Sequence, residues 1–200
     1  TITVDMIRKC LRRMANWKSP GPDQIHTYWL KKLTSTHDSL AKFLDRIVNG
    51  GEQVPTWLPH GTTHLLMKDP QKSSNDPSNY RPITCLPTMW KLLTAILASE
   101  VTKHLNKHTI IAQEQKGCSK GTRGTKDQLL IDKMVMRDSR SRKTNLAMCW
   151  IDYKKAFDSV PHSWILECLK MYKINSNIRR FIKNSMEHWE TDLTLQGKNI

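Results

Sequence analysis

Residues 150–162, Trp150-Ile151-Asp152-Tyr153-Lys154-Lys155-Ala156-Phe157-Asp158-Ser159-Val160-Pro161-His162, close a short apolar run that begins at Leu146 and continues through Ala147, Met148 and Cys149. That run predicts a β-strand over residues 146–151 with a carboxylate, Asp152, at its C-terminal end. An aromatic side chain, Phe157, follows, and Pro161 then breaks the pattern. A carboxylate at a strand tip beside a basic surface can hold metal ions that neutralise phosphate charge. An aspartate ending a strand is also an ordinary cap or turn residue, so the rest of the chain has to decide between the two readings.

Composition narrows the partners. The chain has 200 residues, enough for one good-sized core or for one domain and part of a second. Lys and Arg number 32 against 18 Asp and Glu, a formal net charge of +14 that points to a polyanion. Nucleic acid is favoured over a membrane, because no apolar run approaches spanning length. The five cysteines are scattered, with no Cys-x-x-Cys pair, and are expected to be reduced, mostly buried thiols of an intracellular protein. No signal peptide is present and the first residue is not methionine, so a longer parent protein is expected.

Periodicity predicts a helix-rich mixed α/β fold. Val4, Ile7, Leu11 and Met14 recur at helical spacing behind Thr3, a candidate N-cap, until Pro20-Gly21-Pro22 stops them. Further helices are expected through Tyr28 to Leu33, through Leu40 to Val48 up to Asn49-Gly50-Gly51, and from Leu86 to Leu105. Others are expected over residues 126–137, 164–169 and 178–186, and on all of these helices the Met and aromatic positions are expected in the core. Leu65-Leu66-Met67 is a strand candidate before a polar loop over residues 69–79, and residues 189–195 are another.

Several segments resemble, in collinear order, the reverse transcriptases of non-LTR (LINE-type) retrotransposons. Lys18-Ser19-Pro20-Gly21-Pro22-Asp23 is similar to that family's K-x-P-G-x-D loop. Thr62-Thr63-His64-Leu65-Leu66-Met67-Lys68 and Asn79-Tyr80-Arg81-Pro82-Ile83-Thr84 look like the two arms of its fingers hairpin. Gln115-Lys116-Gly117-Cys118, running into Gly121-Thr122-Arg123-Gly124-Thr125-Lys126-Asp127-Gln128, resembles its Q-x-G-F … G … T-x-D-Q element, with Cys118 where an aromatic is usual. A phosphate-binding P-loop does not fit these glycines, because both their spacing and the position of Lys126 are wrong. The stretch around Asp152 resembles the family's motif A.

The resemblance implies a right-hand polymerase fold, with a fingers-like region over residues 1–145 and the start of a palm over residues 146–200. It implies RNA-directed DNA polymerase activity in the complete enzyme by a two-metal mechanism. Asp152 would be the catalytic carboxylate and, with the backbone carbonyl of Tyr153, a ligand of the two Mg2+ ions. Lys68 and Arg81 would bind the triphosphate of an incoming dNTP, a point charge and a planar fork respectively. Tyr153 and Phe157 would complete the dNTP site, Phe157 lying under the sugar and excluding a 2′-hydroxyl. Asp158 would brace the turn before Pro161. Gln115, Lys116, Gly117, Lys120 and Arg123 would contact an RNA template and its RNA or DNA primer. The family's Tyr/Phe-x-Asp-Asp turn has no counterpart, since no Asp-Asp occurs in the sequence. Residues 1–200 alone are therefore not expected to hold both ions or to polymerise. The alternatives are a catalytically inactive retroelement-derived segment that binds RNA or an RNA–DNA hybrid, and an interaction module that has lost both activities. Oligomeric state is open.

Overall fold

The computed structural model describes residues 1–119, 121–153, 155–157, 159–195 and 197–199. It divides into two compact units: Thr1–Lys103 with His162–Ile200, and His104–Pro161.

In the first unit, α1 (Val4–Arg13) starts where Thr3 accepts a hydrogen bond from the Met6 amide, and it buries Ile7 and Leu11. The proline-containing loop that follows is packed onto the start of a later helix, α4 (Thr88–Lys107). The Thr88 hydroxyl donates to the Ile25 carbonyl, and Lys91 Nζ donates to the Ser19 carbonyl at 2.8 Å. Gly21 is required there: a Cβ at its position would stand 2.3 Å from the Pro87 nitrogen. Helices α2 (Thr27–Lys32) and α3 (His37–Asp45) come next. α3 runs on into a wide helical turn, Arg46–Gly50, and stops at Gly51, whose φ of +77° suits a residue without Cβ.

The core is aliphatic. Leu40, Leu44, Ile47 and Val48 meet Leu92, Leu93 and Ile96 of α4, and Trp90 lies against Phe181 at 5.8 Å between ring centroids. Burying each such side chain contributes about 1.5–3 kcal/mol. Phe181 comes from α7 (Ser176–Met186), which follows α6 (His162–Met171). The sheet has the order β2-β1-β3-β4, from Gly61–Met67 (β1), Tyr80–Cys85 (β2), Thr191–Leu195 (β3) and Lys198–Asn199 (β4). β1 is antiparallel to β2, the expected hairpin, and parallel to β3, a pairing that periodicity does not announce.

The second unit holds the end of α4 and α5 (Thr125–Arg142), which is longer at its C-terminus than the expected 126–137. None of its described residues is buried. The strand expected over residues 146–151 is not formed. A strand needs a ladder partner for its amides and carbonyls, and no described residue of this unit is in a strand. The expectation of Met and aromatic side chains in the core holds for Trp90 and Phe181 and fails at other positions, and the expectation of mostly buried thiols fails. Trp29, Met134 and Trp164 are exposed on their helices, and no cysteine is buried, Cys118 and Cys149 being exposed and Cys10, Cys85 and Cys168 half-buried. All five thiols are free. Among the described residues no helix is long and apolar enough to cross a membrane.

Candidate functional site

The β1–β2 hairpin places its two cations by register. Leu66 lies opposite Arg81 and Met67 opposite Tyr80, and the Lys68 amide continues the ladder by donating to the Asn79 carbonyl at 2.7 Å. Alternate residues of a strand share a face, so Thr62, His64, Leu66 and Lys68 stand on the same side as Arg81 and Ile83. Lys68 and Arg81 are both exposed, and Lys68 Nζ donates to the Ser78 carbonyl at 2.7 Å. β2 is an edge strand, which is why Pro82, with no amide hydrogen to offer, can sit within it.

The loop over residues 69–79 is organised by Asn79, which is only 3% exposed. Its Oδ1 accepts from the Asp69 amide at 3.1 Å, and its Nδ2 donates to the Asp69 carbonyl at 3.0 Å and the Ser73 carbonyl at 3.4 Å. The side-chain amide thus pairs with Asp69 as a strand neighbour would. Asp76 caps the short 3-10 turn Pro77–Asn79. Hydrogen bonds from the Ser78 hydroxyl and amide, with Lys72 and Lys68 nearby, hold its carboxyl below the usual range. The Tyr80 hydroxyl donates to the Ser74 carbonyl at 2.9 Å. These supporting residues escape a reading by charge. Their signal is an Asn opening a strand straight after a Ser/Asp/Pro loop.

The base of the hairpin is tied to β3. The Thr63 hydroxyl shares hydrogen bonds of 2.7 Å with the hydroxyls of Thr84 and Thr191, and His60 Nε2 meets Asp192 Oδ2 at 2.9 Å.

The other expected site residues belong to the second unit, in two places. Gln115, Lys116, Gly117 and Arg123 share one loop at the start of α5. Thr122 donates to the Lys116 carbonyl at 2.8 Å, Gln115 Nε2 to the Gly117 carbonyl at 3.0 Å, and the Arg123 amide to Asp127 Oδ2 at 2.9 Å. Cys118, Gly121 and Gly124 have positive φ in this turn, and Gln128 Nε2 pins it by donating to the Glu114 carbonyl at 2.7 Å. Asp152, Tyr153 and Phe157 lie in the run after α5, where Trp150 Nε1 donates to Asp132 Oδ2 at 3.2 Å. Asp152 is exposed and Phe157 is 93% exposed, so Phe157 is not a core aromatic within this unit. Lys120 and Asp158 lie outside the described residues. Among the described residues no group of three or more His, Cys, Asp or Glu could hold a metal ion. One carboxylate does not fit a pair of magnesium ions.

Comparison with known proteins adds a family match. The model of the family described as "Reverse transcriptase (RNA-dependent DNA polymerase)" matches residues 68–199. The chain is 32% identical over 141 residues, 70% of its length, to the "Retrovirus-related Pol polyprotein from type-1 retrotransposable element R2" of Popillia japonica. It is 23% identical over 199 residues to the "RNA-directed DNA polymerase from mobile element jockey" of Drosophila funebris. It spans about a fifth of these relatives, 19% of the first and 21% of the second.

Proposed function

The chain belongs to the reverse transcriptase (RNA-dependent DNA polymerase) family, and from that premise we propose that it forms the fingers and the opening of the palm of a retrotransposon RNA-directed DNA polymerase. The share of the reaction assigned to these residues is to bind the triphosphate of an incoming dNTP on the β1–β2 hairpin. The observation that carries this is the register that sets Lys68 and Arg81 on one exposed face, with Leu66 opposite Arg81. Arg81 offers a fork for two phosphate oxygens and Lys68 a compact charge that can leave the Ser78 carbonyl for a stronger acceptor.

In the same proposal Phe157 screens the sugar and the loop of Gln115, Lys116, Gly117 and Arg123 tracks the template. Asp152 and the Tyr153 carbonyl are the chain's contribution to a magnesium site. The described carboxylates do not complete that site, so the chemistry assigned to this chain stops at binding and positioning.

The test is dNTP-dependent thermal stabilisation of the chain, read beside RNA affinity. A charge-assisted hydrogen bond is worth about 1.5–3 kcal/mol. Arg81→Ala is therefore expected to weaken dNTP-dependent stabilisation by about tenfold or more in apparent affinity while leaving RNA binding within about threefold. Equal losses in both would sink the assignment of Arg81 to the triphosphate.

A further inference from the structure

A groove of about 540 Å³ runs between α6 and α7 in the first unit, away from the hairpin cations in sequence and lined by neither of them. Four cationic side chains line it: Lys170 from α6, and Arg179, Arg180 and Lys183 from α7. Among the described lining residues the only carboxylate is Glu167, which Lys170 meets at 3.3 Å. The opposite face of α7 is the buried one, through Phe181 and Ser185, so the helix is anchored while its basic face is left to the groove.

A row of surface lysines would be an ordinary solvated face. The two arginines differ from that, because each is already tied to a backbone carbonyl. Arg179 Nε donates to the Ile174 carbonyl at 3.0 Å, and Arg180 Nη2 to the Asn49 carbonyl at 3.3 Å. Asn49 is itself fixed, donating to Asp45 Oδ1 at 2.6 Å and accepting from Asn177 Nδ2 at 3.2 Å. Each guanidinium commits one donor to its anchor and keeps the rest of its fork, so less side-chain freedom remains to be lost on binding an anion. Lys183 lies one helical turn on from Arg179 and Arg180, on the same face.

We propose that the α6–α7 groove is a second nucleic-acid contact, gripping a phosphodiester backbone through Arg179, Arg180 and Lys183. Nucleic acid as the anion rests on the function proposed above; the groove and its pre-organised cations do not.

The experiment is a titration of labelled single-stranded RNA and of an RNA–DNA hybrid with the full chain across a range of KCl. It compares Arg180→Gln/Lys183→Gln with a control of equal charge change on an exposed helix face, Arg8→Gln/Arg12→Gln. Each phosphate that the protein ceases to neutralise flattens the slope of log K against log salt by about 0.7 for a single strand or about 0.9 for a duplex. The groove variant is expected to lose about 1.4 with the single strand and about 1.8 with the hybrid, and the control much less. Acetylation of the unmodified chain provides a reading independent of any variant's folding: RNA should protect Lys183 and spare Lys42. The dNTP-dependent thermal shift, which reads the hairpin, should be the same in the groove variant as in the unmodified chain. A slope change no larger than the control's, or no protection of Lys183, overturns the groove and leaves the hairpin reading standing. No nucleic-acid binding by the unmodified chain overturns the groove and the template role given to the loop of Gln115, Lys116, Gly117 and Arg123, while loss of the dNTP-dependent shift alone overturns the hairpin.

Discussion

Asn79→Ala isolates the device that holds the two hairpin cations in place. The substitution removes two good hydrogen bonds, at 3.1 and 3.0 Å to the Asp69 backbone, and a long one at 3.4 Å to the Ser73 carbonyl. At about 1 kcal/mol net for each good bond, and little for the long one, the loop loses roughly 2 kcal/mol. The loss is capped near that value because the loop is otherwise exposed, so water can reach the Asp69 and Ser73 groups once the side chain is gone. Roughly 2 kcal/mol raises the open population of the loop about 30-fold. Hydrogen exchange of the Lys68 amide, which donates to the Asn79 backbone carbonyl that the substitution keeps, should speed up by that factor, while core amides in α4 change much less. Affinity for dNTP should fall in parallel, because Lys68 follows directly on the strand that the loop closes. Asn79→Asp sharpens the test. It keeps an acceptor for the Asp69 amide but replaces the donor with a carboxylate oxygen facing two carbonyls. It should therefore loosen the loop at least as much as alanine. An aspartate variant as well protected as the unmodified chain, or an alanine variant changed by less than about threefold, would show that the amide pairing does not hold the loop.

Two further outcomes test the scaffold behind the hairpin. Gly21→Ala pushes a methyl to 2.3 Å from the Pro87 nitrogen, which is backbone and cannot rotate away, so the loop must lift from α4. A cost of about 3 kcal/mol is expected from a urea midpoint, and less than about 1 kcal/mol would mean that the contact relaxes freely. Asp45 ties Ile2 to the end of α3: burial pushes its carboxyl up, but bonds from the Ile2 amide and Asn49 leave it below its ordinary value of 3.8. A depressed folded-state value means that its contribution is complete above the ordinary value and is lost as pH falls through and beneath it. The stability gap between the unmodified chain and Asp45→Asn should accordingly be constant above about pH 5 and shrink below about pH 4; a gap unchanged down to about pH 2.5 would contradict the assignment.

How much of this was legible in the sequence depends on whether a feature is local. The Thr3 cap, the stop at Gly51, the hairpin and the long α4 rest on spacing and turn chemistry within a few residues, and each is where the pattern puts it. The parallel pairing of β1 with β3 joins residues about 130 positions apart, as the separation of His60 and Asp192 shows, and no local pattern encodes it. The apolar run over residues 146–151 failed for the complementary reason. Its composition suits a strand, but composition supplies no ladder partner, and in the second unit Ile151 is left 77% exposed. Among the candidate site residues, the hairpin positions of Lys68 and Arg81 could be read from the strand pattern, whereas Asn79 could not be read as their support until its amide was seen against Asp69.

The polar network at the hairpin base fixes the face on which the two cations stand. In a strand a slip of one residue turns every side chain to the other face. A slip of β2 against β1 would send Arg81 to the face of Leu65 and Met67 and separate it from Lys68. Apolar pairing resists such a slip poorly on this hairpin, because Leu66 and Ile83 are exposed and contribute little burial. Directional bonds do what the missing burial cannot. The Thr63 hydroxyl is fixed between those of Thr84 and Thr191 at one end, and the Asn79 amide is matched to Asp69 at the other. Each network fits one register: a shift would break the Thr63–Thr84 bond, leaving Thr63 with Thr191 alone, and would draw the 3%-exposed Asn79 amide away from Asp69. The hairpin therefore places buried polar groups where a stable sheet would use Val or Ile, and what that choice secures is the side of the sheet on which Lys68 and Arg81 stand.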